Sequence, residues 1–361
     1  MCESGLSIEF MVDHKPNGIL AHSLQTASKT RLILIQVGTL LSFLDSMYHY
    51  MHIKSVKGDI FLFLSFSWNN LHKVFYFFIG FYLIWKRSNY NEFINYLDSE
   101  ISIRCQRPTI KKFIRKNRKF FSMYLISYTL YLSMFSLYLA YHDYLKTKSL
   151  YQMAMTFAIE LCKALLHMSN LVFVQFIVES CLYAQVYFKI VHQDINCLKS
   201  STSHINAEQI YKVRKFFCGL LEKTRKLDLL FGWVLLGFYS FCFLKLQLSL
   251  AVIIDGVGRP FRTMLFICES MTLIIVTYHV VYISHLSDKC FDPVYSLSYK
   301  LNSLQAKNEV QLLLDHIGHS NAGLTLLKVV PITPTFVTSI VSLTLTIVTA
   351  FPSLLELIKP S

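Results

Sequence analysis

The sequence predicts an all-α membrane protein of seven transmembrane helices, with an inside N-terminus, an outside C-terminus, a long fourth helix and a helical cytoplasmic anchor. Three observations carry that expectation. The 361 residues are 53% apolar and only 16% charged, where soluble domains run near ~25% charged. Seven segments approach or exceed the ~20 apolar residues that cross ~30 Å of hydrocarbon at 1.5 Å per residue. Finally, Lys and Arg alternate between loops that are rich and loops that are poor in them.

After a tail at 1–31, the spans fall near 32–50, 59–85, 119–141, 150–190, 229–253, 261–286 and 327–350, all within one seven-helix unit over 32–361. Lipid offers no partner to a backbone N–H or C=O, so each segment has to satisfy its own as a helix. The short alternating segments of a closed β-barrel are not visible. No cleavable signal precedes the first span, which is expected to act as its own targeting signal.

Loop charges orient the chain. The tail holds three Lys or Arg, the 86–119 loop ten, the 189–228 loop eight and the 287–328 stretch four, which makes 25. The alternate loops (51–58, 142–149, 254–262 and 351–361) hold seven together, while Lys73, Lys163 and Lys245 fall inside spans. Positive loops stay in the cytoplasm. The overall excess of 35 Lys and Arg over 22 Asp and Glu is therefore topogenic and does not mark a nucleic-acid partner. The basic run KKFIRKNRK (111–119) reads as a juxtamembrane signal in reach of anionic lipid heads.

Leu150 to Ile190 runs 41 residues without Pro or Gly. Splitting it would put the eight-charge loop outside, so one helix of ~60 Å, projecting ~30 Å into the cytoplasm, is expected. In 206–228 the apolar residues Ile210, Val213, Phe217, Leu220, Leu221 and Leu227 recur at helical spacings. Leu301, Leu304, Val310, Leu312 and Leu313 sketch a second stripe. Both stripes require partners. The projecting half of the fourth helix is one, and contacts between subunits at the cytoplasmic ends are another.

Enzyme signatures are absent: there is no H-E-x-x-H, Walker A, G-x-G-x-x-G or G-x-S-x-G. The nine Cys show no C-x2-C spacing and read as reduced or buried thiols. His316 and His319 lack a third ligand nearby and read as solvated side chains. No metal or other cofactor is expected. Glu160, Lys163, His167 and Asn170 share one face of the fourth span, either as an internal ion pair under neighbouring helices or as the wall of a wet cavity. Asn69, Asn70, His72 and Lys73 beside Trp68 read as interhelical hydrogen-bonding glue.

Seven spans with the N-terminus inside, the stretch IYKVRKFFCGLLEKTRKLDLLFGW (210–233) with Asp228, Phe231 and Gly232, and the stretch NEVQLLLDHIGHSNAGLTLLKVVPITPTF (308–336) together resemble the gustatory and odorant receptor superfamily of insects and other invertebrates. Within that superfamily the chain looks like a divergent gustatory-receptor-like member. The family's Thr-Tyr…Gln-Phe signature near the C-terminus is not kept. One register reads Thr349-Ala350, then Glu356-Leu357; a second reads Thr346-Ile347, then Ser353-Leu354, and Pro352 interrupts both.

The resemblance implies a ligand-gated, non-selective cation channel for a small organic molecule. It implies a homo- or hetero-tetramer with related subunits, sitting in the plasma membrane of sensory cells. Its pore would be lined by seventh helices, with Thr346, Thr349, Ser353 and Glu356 as candidate lining residues. Four Glu356 carboxylates would concentrate cations and be blocked by acid. For the ligand, an outer-half pocket walled by Tyr138, Tyr141, Tyr151, Glu160, Gln247 and Glu269 is expected. Two rival classes are a seven-helix G-protein-coupled chemoreceptor and a non-conducting transporter or scaffold. The inverted charge balance and the lack of an Asp-Arg-Tyr-like motif after span three oppose the first. The lack of internal repeats opposes the second.

Overall fold

The structure, a computed structural model, describes residues 19–26, 77–104, 108–200, 205–254, 259–319 and 322–343, with isolated residues at 28, 30, 33, 37, 74, 75, 346 and 350. In chain order these form α1 (Ile19–Thr26), α2 (Arg87–Arg104), α3 (Pro108–Thr147), α4 (Leu150–Ser200), α5 (Ala207–Ile254), α6 (Arg259–Asp288), α7 (Phe291–Ser298) and α8 (Leu304–His319). A hairpin of β1 (Thr325–Leu326) and β2 (Val330–Pro331) follows. The short apolar helix α9 (Pro334–Leu343) comes last. Residues 77–85, the end of the second expected span, are helical. Apart from isolated residues 33 and 37, the first expected span lies outside the described residues, as does the polar knot around Asn69.

Among the described residues, α3, α4, α5 and α6 each contain a stretch long and apolar enough to cross a membrane. The fourth expected span is indeed one uninterrupted helix of 51 residues, about 76 Å long at 1.5 Å per residue. It is joined to α3 by a tight turn. There Lys148 takes a left-handed φ of 53°, and its N–H donates to the Tyr144 carbonyl at 2.8 Å, closing the end of α3.

Three expectations are corrected. The basic 86–119 stretch is helical rather than a loop: α2 fills most of it, and α3 begins at Pro108, a residue suited to a first helical position. The 206–228 stripe is the first half of α5, which runs on through the fifth span without a break. The seventh span does not begin at 327, because residues 325–331 form the hairpin and helix resumes only at Pro334.

The core explains how the long helices stay together. From Leu171 to Ile195 nearly every side chain of α4 is buried, which makes this half of the helix apolar on all sides and central. Around it pack the predicted stripes. Ile210, Val213, Phe217, Leu220, Leu221 and Leu227 are all buried, with Phe216 on Tyr187 (ring centroids 5.6 Å) and Phe217 edge-on to Phe188 (6.1 Å). On α8, Val310 and Leu313 are buried but Leu304 and Leu312 face outward. The projecting half of α4 is thus the partner of the α5 stripe. The idea that Phe217 and Leu221 meet another subunit fails, because this chain already covers them.

Ion pairs mark where helices cross. Arg118 of α3 holds Glu179 of α4 at 3.0 Å, and Arg214 of α5 holds Glu309 of α8 at 2.8 Å. At Gly237 of α5 a side chain would overlap the ring of Phe75, so the missing Cβ is what admits that ring against α5.

Candidate functional site

Two polar assemblies stand out against the apolar bundle, one between the apolar helices α3, α5 and α6 and one where α5 meets the hairpin. The first grows from α3, α5 and α6. Tyr124, Tyr128 and Tyr131 are spaced four and three apart on α3, so they project from one face. Cys268, Glu269 and Thr272 do the same near the start of α6. The Tyr124 hydroxyl donates to the Cys268 carbonyl at 2.9 Å and bonds the Thr272 hydroxyl, while Thr272 Oγ1 also reaches the Cys268 carbonyl at 3.0 Å. Tyr124 stacks on Tyr128, ring centroids 6.1 Å apart. Tyr128, Leu132 and Leu171 form a small apolar cluster, flanked by Tyr131, Leu265 and Cys268.

Lys245 of α5 completes this assembly with a 2.5 Å ion pair to Glu269. An isolated charge at this depth is expensive, so the pair has to be held by neighbouring helices or used. Gln247 is half-buried, and its Nε2 is buried without a hydrogen bond among the described residues. Buried polar groups next to aromatic faces are the usual lining of a site for a small organic molecule.

The structure treats the sequence candidates unevenly. Glu269 is 8% exposed and central, and Gln247 is close to the same level. Tyr138, Tyr141 and Tyr151 are 45–74% exposed on the outer surface of the chain. Among the described residues of one chain they enclose no space together with Glu269. Glu160 lies in α4, outside the residues whose side chains are described. Tyr124, Tyr128, Thr272 and Lys245 were missed. Lys245 carried a usable signal, since a lysine inside an apolar span has to find a carboxylate.

The second assembly joins α5 to the hairpin. Asp228 on α5 accepts the Thr325 N–H at 2.5 Å and the Thr325 hydroxyl at 2.9 Å, while Thr325 Oγ1 also accepts the Lys328 N–H at 2.9 Å. Leu327 and Lys328 turn with left-handed φ of 52° and 63°. Gly232, one turn beyond Asp228, faces the hairpin at van der Waals range: a Cβ there would sit 3.4 Å from the Leu327 backbone. Phe231 between them is buried. The Asp…Phe-Gly pattern is therefore a clamp on the hairpin that launches α9.

The two assemblies are bridged by Tyr239 of α5. Its hydroxyl donates to Thr277 Oγ1 of α6 at 3.1 Å, and its ring meets Phe336 of α9 edge-on at 5.7 Å. Of the candidate pore residues, Thr346 is helical and exposed, its hydroxyl donating to the Ser342 carbonyl at 3.0 Å. Thr349, Ser353 and Glu356 lie outside the described residues. His316 and His319 line a groove of about 210 Å³ with Cys218, Glu222 and Arg225. Among the described residues, no group of three or more His, Cys, Asp or Glu gathers in a way that could hold a metal.

No protein-family model matches the chain, and no curated protein matches it in sequence. Solved structures do. The insect olfactory receptor OR5 from Machilis hrabei superposes with a TM-score of 0.64 at 12% identity, covering 89% of this chain and 87% of the receptor. The same receptor in complex with eugenol gives a TM-score of 0.66 at 12% identity, with 91% of each chain covered. The chain therefore has the fold of an insect olfactory receptor along nearly its whole length.

Proposed function

We propose that this chain is a divergent, gustatory-receptor-like member of the insect-type chemoreceptor superfamily and works as a ligand-gated, non-selective cation channel for a small organic molecule. The observation that carries the proposal is a shared fold over about nine-tenths of both chains with a receptor solved in complex with eugenol. The proposed channel is a homo- or hetero-tetramer with related subunits in the plasma membrane of sensory cells.

The ligand site in this reading lies around Glu269, Lys245, Tyr124 and Tyr128, where an ion pair and hydroxyl groups sit beside aromatic rings. The exposed Tyr138, Tyr141 and Tyr151 contribute through a neighbouring subunit or the lipid interface. Binding that alters the Lys245–Glu269 pair shifts α5 against α6, and Tyr239 transmits the shift to Phe336 at the head of α9. The clamp at Asp228 keeps the inner end of α9 fixed meanwhile. A gate then needs two discrete packings of α9, which ligand binding biases.

The test labels both termini in intact cells and records current from those cells. An epitope after Ser361 should stain without permeabilisation, and one before Met1 should not; an agonist should then evoke cation current. Reversed staining restores the G-protein-coupled class, and correct staining without current restores the scaffold. Within a conducting protein, Glu356→Gln should lower cation preference and acid block while Ser353→Ala should not. If neither changes permeability ratios, both proposed registers of the last span are wrong.

A further inference from the structure

The inner corner where α3, α4 and the α6–α7 turn meet has a charge balance that the channel reading does not use. Gln193 Nε2 of α4 donates to Thr109 Oγ1 of α3 at 2.8 Å. One turn away Lys189 Nζ stands 3.4 Å from the centroid of the Phe113 ring. These contacts set the two helices side by side in antiparallel register. Lys116 is one turn along α3 from Phe113, and His192 one turn along α4 from Lys189. From the third side, Cys290 Sγ lies 4.0 Å from the Phe188 carbonyl oxygen, which brings the preceding Lys289 to the same corner.

The contacts converge on a basic cluster. Lys116 and Lys289 are the charged neighbours of Lys189, and Lys189 and Lys289 are those of His192. Lys189 and His192 are half-buried, Lys116 and Lys289 exposed. His192 bonds Asn196, and Lys189 leans on an aromatic face. Among the described residues none of the four forms an ion pair, although lysines elsewhere on the inner side do so, as Lys223 and Lys226 do with Glu92. Asp288, next to Lys289 in sequence, has His285 as its charged neighbour.

We infer that Lys116, Lys189, His192 and Lys289 form a binding site for a multiply phosphorylated anion of the inositol-phosphate kind. Like charges gathered from three separate elements repel and cost stability. An anion of several phosphates would reverse that cost with charge-assisted hydrogen bonds from flexible ammonium groups. A half-buried Lys189 sharpens the effect, because screening by water is weaker there. Lys116 lies three residues before the expected start of its span at 119, which places the corner below the inner membrane surface. There the anion is either the headgroup of a phosphoinositide or its soluble counterpart.

The experiment uses the full chain, purified in detergent and in lipid nanodiscs. One arm titrates soluble inositol trisphosphate; the other compares phosphatidylcholine nanodiscs with and without phosphatidylinositol bisphosphate, reading thermal stabilisation and bound ligand. Wild type should bind in at least one arm, and the arm identifies the source. K189Q combined with K289Q should weaken binding about tenfold or more, a loss of ~1.4 kcal/mol per decade. K289Q alone, on an exposed turn, should give a measurable part of that loss without affecting recovery of folded protein. K307Q, on the exposed face of α8, should leave binding unchanged. Absence of binding in both arms, double-variant affinity within about twofold of wild type, or an equal loss in K307Q would each overturn the site.

Discussion

Residues 171–195 of α4 and 123–145 of α3 are both strongly apolar helix, and the fold uses them in opposite ways. In α4 the side chains are buried on every side. In α3, Met123, Ile126, Leu130, Met134, Leu137, Tyr141 and Leu145 form a continuous exposed stripe at spacings of three and four. An all-round apolar helix belongs in a core, whereas an exposed apolar stripe on a bundle needs lipid or another subunit to cover it. The inner half of this protein is thus held by its own packing. The outer half waits for its solvent. That contrast separates the self-packed core around Phe217 from the exposed apolar face of α3.

The largest expected effect breaks the inner core. Phe217→Asp buries an unpaired carboxylate where the wild-type ring is wholly covered, and should cost more than ~4 kcal/mol. Recovery of monodisperse protein should fail, whereas Met134→Gln on the outer stripe should be purified in detergent much like wild type. If both behave alike, the two regions do not differ as described.

Smaller is the cost of opening the clamp. Asp228→Ala removes the acceptor for the Thr325 N–H and hydroxyl and should destabilise the hairpin by ~1–3 kcal/mol. Faster proteolysis within 325–331 with an unchanged global melting temperature is the expected signature. An unaltered cleavage rate would mean that contacts other than Asp228 hold the hairpin.

At the mid-membrane pair the expectation is coupling rather than loss of fold. Lys245→Met and Glu269→Gln should each shift an agonist's dose–response by about tenfold, and the double variant by less than the sum. Strict additivity, or no shift, would remove the pair from the ligand site.

The smallest effect concerns pH. Lys223 and Lys226 hold the Glu92 carboxyl down at about 2 from its usual 4.5. A depressed value means that the contact is complete above the usual carboxylate range and fades only as pH falls from there toward about 2. The protection of α2 amides, corrected for the intrinsic pH dependence of exchange, should therefore be flat from neutral pH down to about 5. A transition in that window would assign the docking of α2 to some other group.

Much of this arrangement could be read from residues alone, for identifiable reasons. The stripe from Ile210 to Leu227 was visible because helical spacing and burial share one period. The unbroken α4 was visible because 41 residues contain neither Pro nor Gly. The hairpin was not, since its turn uses Leu327 and Lys328 in left-handed backbone, where Gly or Asn is the usual marker. The stripe's partner was visible only as a choice between α4 and another subunit. Composition does not distinguish an apolar face covered by its own chain from one covered by a copy.

Sequence by itself determined that the long apolar segments are helical, how apolar each face is and where the positive charge falls, because those follow from local covalent chemistry and periodicity. The tertiary structure alone decided that Lys245 meets Glu269, that Asp228 grips Thr325 and that Tyr138, Tyr141 and Tyr151 turn away from them. Each of those outcomes depends on the rotation and offset of one helix against another. Side-chain packing sets both quantities across residues far apart in the chain, and no local pattern encodes them.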